Sequence, residues 1–332
     1  MIISRSPFRI TLAGGGTDLP AYYSLHGGEV TSMAINKYIY VSFKKNILCD
    51  KVRLQYLKTE EVDNANQLSH DRAREVLREF GVLDKCEISS MADLPSKSGL
   101  GSSGSYLTAL INCLQQYRGL TMTKSEIANL ACKIEMENLN EPVGKQDQFI
   151  SAHGGIKRLC IDKNGAVTVR NMGMSADDID SLINRCAIYY TGVQRSASRV
   201  LKSQTRDKVN FEYQMKGIAD LGQQSLEALT SSNFDRYGSL LHDHWTYKKM
   251  LSSSMTTSFL DKIYEYLKKS NLILGGKVIG AGGGGFMMLY VPSNIKKVDA
   301  YMLKRGMPRI PYSVDDGGVK TVHGAQDWNT PN

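Results

Sequence analysis

Residues Pro95 to Gly104 read Pro-Ser-Lys-Ser-Gly-Leu-Gly-Ser-Ser-Gly, and behind them apolar side chains recur at Leu107, Leu110, Ile111, Leu114 and Tyr117 before Gly119. The recurrence marks one face of an α-helix, and the glycine is a stop signal. A glycine-rich turn is thus delivered straight to a helix N-terminus. Gly99 and Gly101 allow positive φ and close backbone approach, while the helix start offers unpaired N–H groups and a partial positive charge. A fold built on this junction needs a core behind the helix and an open face before the turn, and phosphate is the natural guest of that face. A P-loop is excluded, because no lysine follows the glycines. The string Gly99-Leu-Gly101-Ser-Ser-Gly104 does satisfy the dinucleotide pattern, although a polar, proline-containing entry precedes it in place of a buried strand. A plain Gly/Ser surface turn also stays open on the loop alone.

The chain has 332 residues, enough for two domains and a sizeable core. No apolar run approaches the ~20 residues of a membrane helix, and the first residues alternate like a strand without the charged and apolar regions of a signal peptide. The six cysteines are scattered with no C-x-x-C pair. Free thiols in a reducing cytosol, and so a cytoplasmic protein, are the expectation. The net charge is +8, yet the basic residues are dispersed and not interleaved with aromatics. That favours small anionic ligands over nucleic acid, and nothing points to a membrane partner. His242 and His244 lack the spacing and cysteine neighbours of a zinc site.

In chain order, residues 2–12 form a strand that breaks at Ala13-Gly-Gly-Gly16-Thr17-Asp18. Arg9 and Asp18 flank this open loop, where a guanidinium and a carboxylate would suit a polyol, although a hairpin turn with a surface aspartate fits the segment equally. Val30 to Phe43 is one long strand or a hairpin around Asn36-Lys37, and Val52 to Leu57 is another strand. A helix over 69–80 and a strand over 85–90 lead to the glycine turn. Thr123-Lys-Ser-Glu126 is a capping box opening a helix, with Glu135 either on the edge of its buried face or on the surface. Val143 to Phe149 has neither period, so it is a solvated loop or a site. Strands at 156–161 and 167–170 precede a junction at 172–180. The second half then has a strand at 186–191 and helices at 207–230, 233–251 and 256–270. A second glycine run, Gly280-Ala-Gly-Gly-Gly-Gly285, lets two backbones meet or one meet a phosphate. A strand at 286–291, a helix at 294–304 and a last strand at 319–323 complete the chain.

Three of these segments together resemble motifs of the GHMP kinases, the superfamily of galactokinase, homoserine kinase, mevalonate kinase and phosphomevalonate kinase. Ser6-Pro7-Phe8-Arg9 through Gly16-Thr17-Asp18 is similar to the family's opening motif. Pro95 to Ser103 is similar to its P-x-x-x-G-L-G-S-S phosphate loop, and Gly280 to Gly285 to its late G-A-G-x-G-G run. The resemblance implies an α+β fold of two domains, 1–175 and 176–332, with ATP and substrate in the cleft between them. It implies ATP binding by Pro95, Ser98, Gly99, Leu100, Gly101, Ser102 and Ser103. It makes Asp147 the acceptor of the attacking hydroxyl's proton, with Arg9 orienting it, and assigns Mg²⁺ to Ser103 and Glu135. Substrate falls to Gly16, Thr17, Asp18 and Gly282, and Arg195 is expected to hold the phosphate of a phosphorylated sugar.

Gly14-Gly-Gly16-Thr-Asp18 departs from galactokinases, and Gly104 stands where the family usually has alanine. The combination looks most like the bacterial D-glycero-D-manno-heptose 7-phosphate kinases, which act on the anomeric hydroxyl on the way to nucleotide-activated heptose for surface polysaccharide. Fucokinase-like kinases are the alternative. A non-catalytic sugar or nucleotide binder on a kinase fold and a dehydrogenase are the other classes open, and the sequence does not choose between monomer and homodimer.

Overall fold

The computed structural model describes residues 1–193, 197–204 and 207–324. The first half carries β1 (Ile2–Ala13), α1 (Pro20–His26), β2 (Gly28–Lys45), β3 (Val52–Gln55), β4 (Thr59–Val62), α2 (Asp71–Glu79), β5 (Cys86–Ala92), α3 (Ser102–Tyr117), α4 (Lys124–Lys133), α5 (Gln146–His153), β6 (Ile156–Ile161) and β7 (Val167–Asn171). The second carries α6 (Ala176–Arg185), β8 (Cys186–Tyr190), α7 (Ala197–Gln204), α8 (Lys208–Thr230), α9 (Phe234–Met250), α10 (Ser258–Lys269), β9 (Gly275–Val278), β10 (Phe286–Tyr290), α11 (Ile295–Leu303) and β11 (Lys320–His323). The mixed α and β order expected from the sequence is present.

The segment around Asn36-Lys37 is a bulge inside one strand and not a hairpin. Pro7 faces Tyr38 while Phe8 faces Ile35, so Asn36 and Lys37 have no partner on β1. Pro7 has no N–H to give to a ladder, and a bulge there bends the strand. The two ends of β2 therefore serve different neighbours on its other edge, β6 along residues 28–33 and β5 along residues 39–45. The large sheet runs β11-β1-β2-β5-β3-β4, with β6 and β7 branching from β2. A smaller antiparallel sheet, β8-β10-β9, belongs to the second half.

α3 lies almost wholly inside, its residues from Gly104 to Gln115 all buried. α5 is a helix where the sequence offers no period. It is only 8 residues long, and its buried run Gln148, Phe149, Ile150, Ser151 and Ala152 mixes polar with apolar side chains, so no apolar stripe forms. β4, α1 and α7 are further short elements beyond the sequence reading.

The main core draws on both halves: Phe8, Leu110 and Phe149 share it with Tyr237, Leu240, Phe286 and Tyr290. A second cluster around Trp245, Leu260 and Met287 belongs to the second half. β11 returns across the molecule to pair with β1, and Val314 bridges Ile35 nearby. All six cysteines are free, and among the described residues no helix is long and apolar enough to cross a membrane.

Candidate active site

The two glycine runs meet each other. A Cβ on Gly99 would lie 2.5 Å from the Ile279 carbonyl oxygen, one on Gly280 2.4 Å from that of Gly99, and one on Gly285 2.1 Å from that of Ser98. Only glycine permits this approach. Gly101 has a left-handed backbone (φ +81°) immediately before α3, and no side chain caps the helix, so its first-turn N–H groups stay available to an anion. The Arg9 amide donates to the Leu100 carbonyl at 2.9 Å, which ties the turn to β1.

Above this floor Arg9 and Asp147 pair. Nε and Nη2 of Arg9 each lie 2.7 Å from Asp147 Oδ1, and Nη1 donates to the Gly99 carbonyl. Asp147 stands in the first turn of α5, where a negative charge is favoured. Its Oδ2 has no partner among the described residues, and the side chain is 24% exposed. α3 and α5 touch at Gly104, where a Cβ would come within 2.8 Å of Asp147 Cβ and 2.9 Å of the Gln148 nitrogen. The missing alanine is thereby explained.

Asp18 is buried beside this pair. It accepts from the Gln146 amide at 3.0 Å, the Gly16 amide at 3.2 Å and the Gln146 side chain at 3.3 Å. Burial raises its carboxyl above the ordinary range, and the neighbouring Asp147 adds to this against the backbone donors. Gln146 is itself fixed by Thr11 and Ser32, whose hydroxyls donate to its Oε1. Thr17 serves the loop: its hydroxyl bonds the Gly14 carbonyl and the Glu29 backbone. It lines a separate pocket with Glu29, not the cleft of Asp147.

Glu135 is fully buried and not a surface residue. After the capping box of Thr123 and Glu126, a π-helical turn over Ile134–Asn138 carries it inward. Arg72 donates to its Oε1 at 2.9 Å and Gln148 to its Oε2 at 2.6 Å, and the Ser103 hydroxyl is near enough to favour its charged form. Burial raises this carboxyl, with Arg72 working against the rise. Among the described residues no group of three His, Cys, Asp or Glu side chains could enclose a metal. One carboxylate near one hydroxyl fits Mg²⁺, which keeps few protein oxygens and completes its shell with water and phosphate.

A cleft of about 1020 Å³ joins these parts. Of the sequence-derived site residues, Gly99, Gly101, Ser102 and Ser103 line it on one side and Gly16, Asp18 and Gly282 on others, around Arg9 and Asp147. Pro95 is exposed at the entry to the turn, while Ser98 and Leu100 are buried beneath it. Arg195 lies outside the described residues. Sequence reasoning missed Lys97, Gln146 and Lys248, which also line the cleft. Adjacency to Asp147 was the one signal for Gln146. Lys248 carries none, since its neighbours come from distant segments.

Residues 69–155 match the model of the GHMP kinases N terminal domain. The chain is 27% identical to the D-glycero-alpha-D-manno-heptose 7-phosphate kinase of Campylobacter jejuni, over 98% of each protein. It is 25% identical to the L-fucokinase/L-fucose-1-P guanylyltransferase of Bacteroides fragilis, over 87% of this chain and 34% of that longer one. Its fold superposes on a D-glycero-D-manno-heptose 1-phosphate kinase from Bacteroides thetaiotaomicron with a TM-score of 0.79 at 22% identity, covering 98% and 100% of the two chains. Residues 69–155 thus carry a GHMP kinase N-terminal domain, and with three ordered motifs and a full-length relative in agreement the chain is an ATP-dependent sugar kinase.

Proposed function

We propose that the protein transfers the terminal phosphoryl group of ATP to the anomeric hydroxyl of D-glycero-D-manno-heptose 7-phosphate, giving the 1,7-bisphosphate. The product would feed nucleotide-activated heptose for surface polysaccharide, in the cytoplasm. The observation that carries the reading is the convergence of the Arg9–Asp147 pair, the uncapped start of α3 and the buried Asp18 on one cleft. The full-length likeness to the Campylobacter jejuni enzyme supports the choice of sugar.

Phosphoryl transfer asks mainly for positioning and charge neutralisation. The Gly99–Ser103 turn and the α3 amides would hold the polyphosphate. Asp18, held by Gln146 and Gly16, would accept from sugar hydroxyls and set the acceptor's orientation. Asp147 would take the hydroxyl proton on Oδ2, while Arg9, bonded to Oδ1, keeps the carboxylate aimed. Ser103 and Glu135 would hold Mg²⁺, which when bound neutralises phosphate charge. We assign the two domains to residues 1–175 and 176–332, with substrate between them and Arg195 as the group for the sugar's own phosphate.

A coupled assay with ATP should give kcat/KM for heptose 7-phosphate at least ~10-fold above heptose, fucose and galactose, since a lost charge-assisted contact costs about 1.5–3 kcal/mol. Preference for fucose would move the assignment to the fucokinase-like branch. Tight sugar binding without turnover would make the protein a binder.

A further inference from the structure

The cations at the cleft differ in what they are committed to. Arg9 is held by Asp147, and Lys97 is exposed on the turn before Gly99. Lys248, on α9, lines the same cleft but is only 9% exposed, and no carboxylate reaches it among the described residues. Its Nζ donates to two carbonyls, Gly280 at 2.5 Å and Val278 at 3.3 Å. An ammonium has three donors, so one is left over. The charged and titratable groups around it are Arg9 from β1, Lys277 from β9 and His244 one turn earlier on α9. None of them brings negative charge. Lys277 is buried too and, among the described residues, bonds only the Leu12 carbonyl, at 3.0 Å.

A buried ammonium without a counter-ion is costly, and the protein tolerates it here at the wall of a cleft built for anions. The carbonyl that Lys248 grips belongs to Gly280, which lies against Gly99 of the phosphate turn. Lys248 and the start of α3 thus line the same cleft. Resting on the kinase reading above, we propose that Lys248 is a phosphate ligand of this cleft, its spare donor meeting an anionic oxygen between the two glycine turns. The oxygen comes either from the terminal phosphoryl group of the nucleotide or from the sugar's own phosphate, which present the same chemistry.

Burial, with Arg9 adding to it, lowers the Lys248 ammonium to about 7. In the empty cleft at pH 8 most molecules hold it neutral, and an arriving phosphate restores the charge. Binding therefore takes up a proton. The test is calorimetry at pH 8 in two buffers of different ionisation enthalpy, using Mg²⁺-AMPPNP, Mg²⁺-ADP and heptose 7-phosphate in turn. For the ligand that Lys248 touches, wild type should take up on the order of one half to one proton more than Lys248→Met. Lys248→Met should bind that ligand ~10-fold or more weakly, whereas Lys248→Arg, charged at every pH, should retain affinity without the extra uptake. Uptake with AMPPNP but not ADP assigns the terminal phosphoryl group, and uptake with heptose 7-phosphate alone assigns the sugar's phosphate. Unchanged affinity of Lys248→Met for all three ligands overturns the proposal and leaves Lys248 as a tie for the Gly280 turn. A folded wild type that binds neither nucleotide overturns the kinase reading instead.

Discussion

Asp18 shows how a single side chain can be specified by its donors. Three N–H groups from Gly16 and Gln146 converge on a carboxylate that burial would otherwise push toward its neutral form. Asp18→Asn replaces an acceptor by a donor facing a donor, so KM for the sugar should rise ~10-fold or more while that for ATP changes little. Steady-state kinetics in both substrates checks this, and equal weakening of both would contradict it. His153 sets a pH dependence of stability. Half-buried and beside Lys124 and Lys157, its ring is lowered to about 4, burial being the main cause. The unfolded chain takes up this proton near pH 6.5 and the native one only near 4, so the native state loses stability as pH falls through that window. His153→Gln should lose about 1–2 kcal/mol less between pH 7 and pH 4 after allowance for partial exposure. Thermal melts across this range would show it, and parallel curves for the two proteins would contradict it.

At the scale of elements, the site depends on how closely backbones pass. α3 and α5 can pass this closely at Asp147 because residue 104 is glycine. Gly104→Ala should push α5 outward, lower stability by ~1–3 kcal/mol and reduce kcat severalfold through displacement of Asp147. Denaturant melts and kinetics on one preparation test both effects, and an unchanged kcat would show that Asp147 keeps its place. This contact also shows where sequence reading stops. Arg9, Asp18 and the Gly99–Ser103 turn were legible because short strings with special backbone needs carry them. α3 was legible because one apolar face ran its length. α5 was not, since it is short and buries polar Gln148 and Ser151 among its apolar residues, and Gln148 needed Glu135, thirteen positions away in sequence, to explain it. The inward position of Glu135 rests on a π-turn that no pattern of residue types announced. One long strand over Val30 to Phe43 was one of two open readings, decided by pairing with β1, and the bulge at Asn36-Lys37 was in neither.

For the whole molecule, the main core crosses from the first half to the second, and β11 closes back onto β1. The two proposed domains should therefore melt in one calorimetric transition whose van't Hoff and calorimetric enthalpies agree, and two resolved transitions would contradict a shared core. Function is likewise a property of the assembled chain, because the cleft takes Arg9 and Asp147 from one half and Gly280 to Gly284 from the other. The names of its relatives differ in where the sugar phosphate sits, so the position of the transferred phosphate is the most direct test of the account. ³¹P NMR of the wild-type protein with ATP, Mg²⁺ and heptose 7-phosphate should show a new resonance coupled to the anomeric proton while the C7 phosphate persists. Asp147→Asn should form the same product ~10²–10⁴-fold more slowly. A phosphate on any other carbon, or an Asp147→Asn protein keeping more than about half the wild-type rate, would contradict the account.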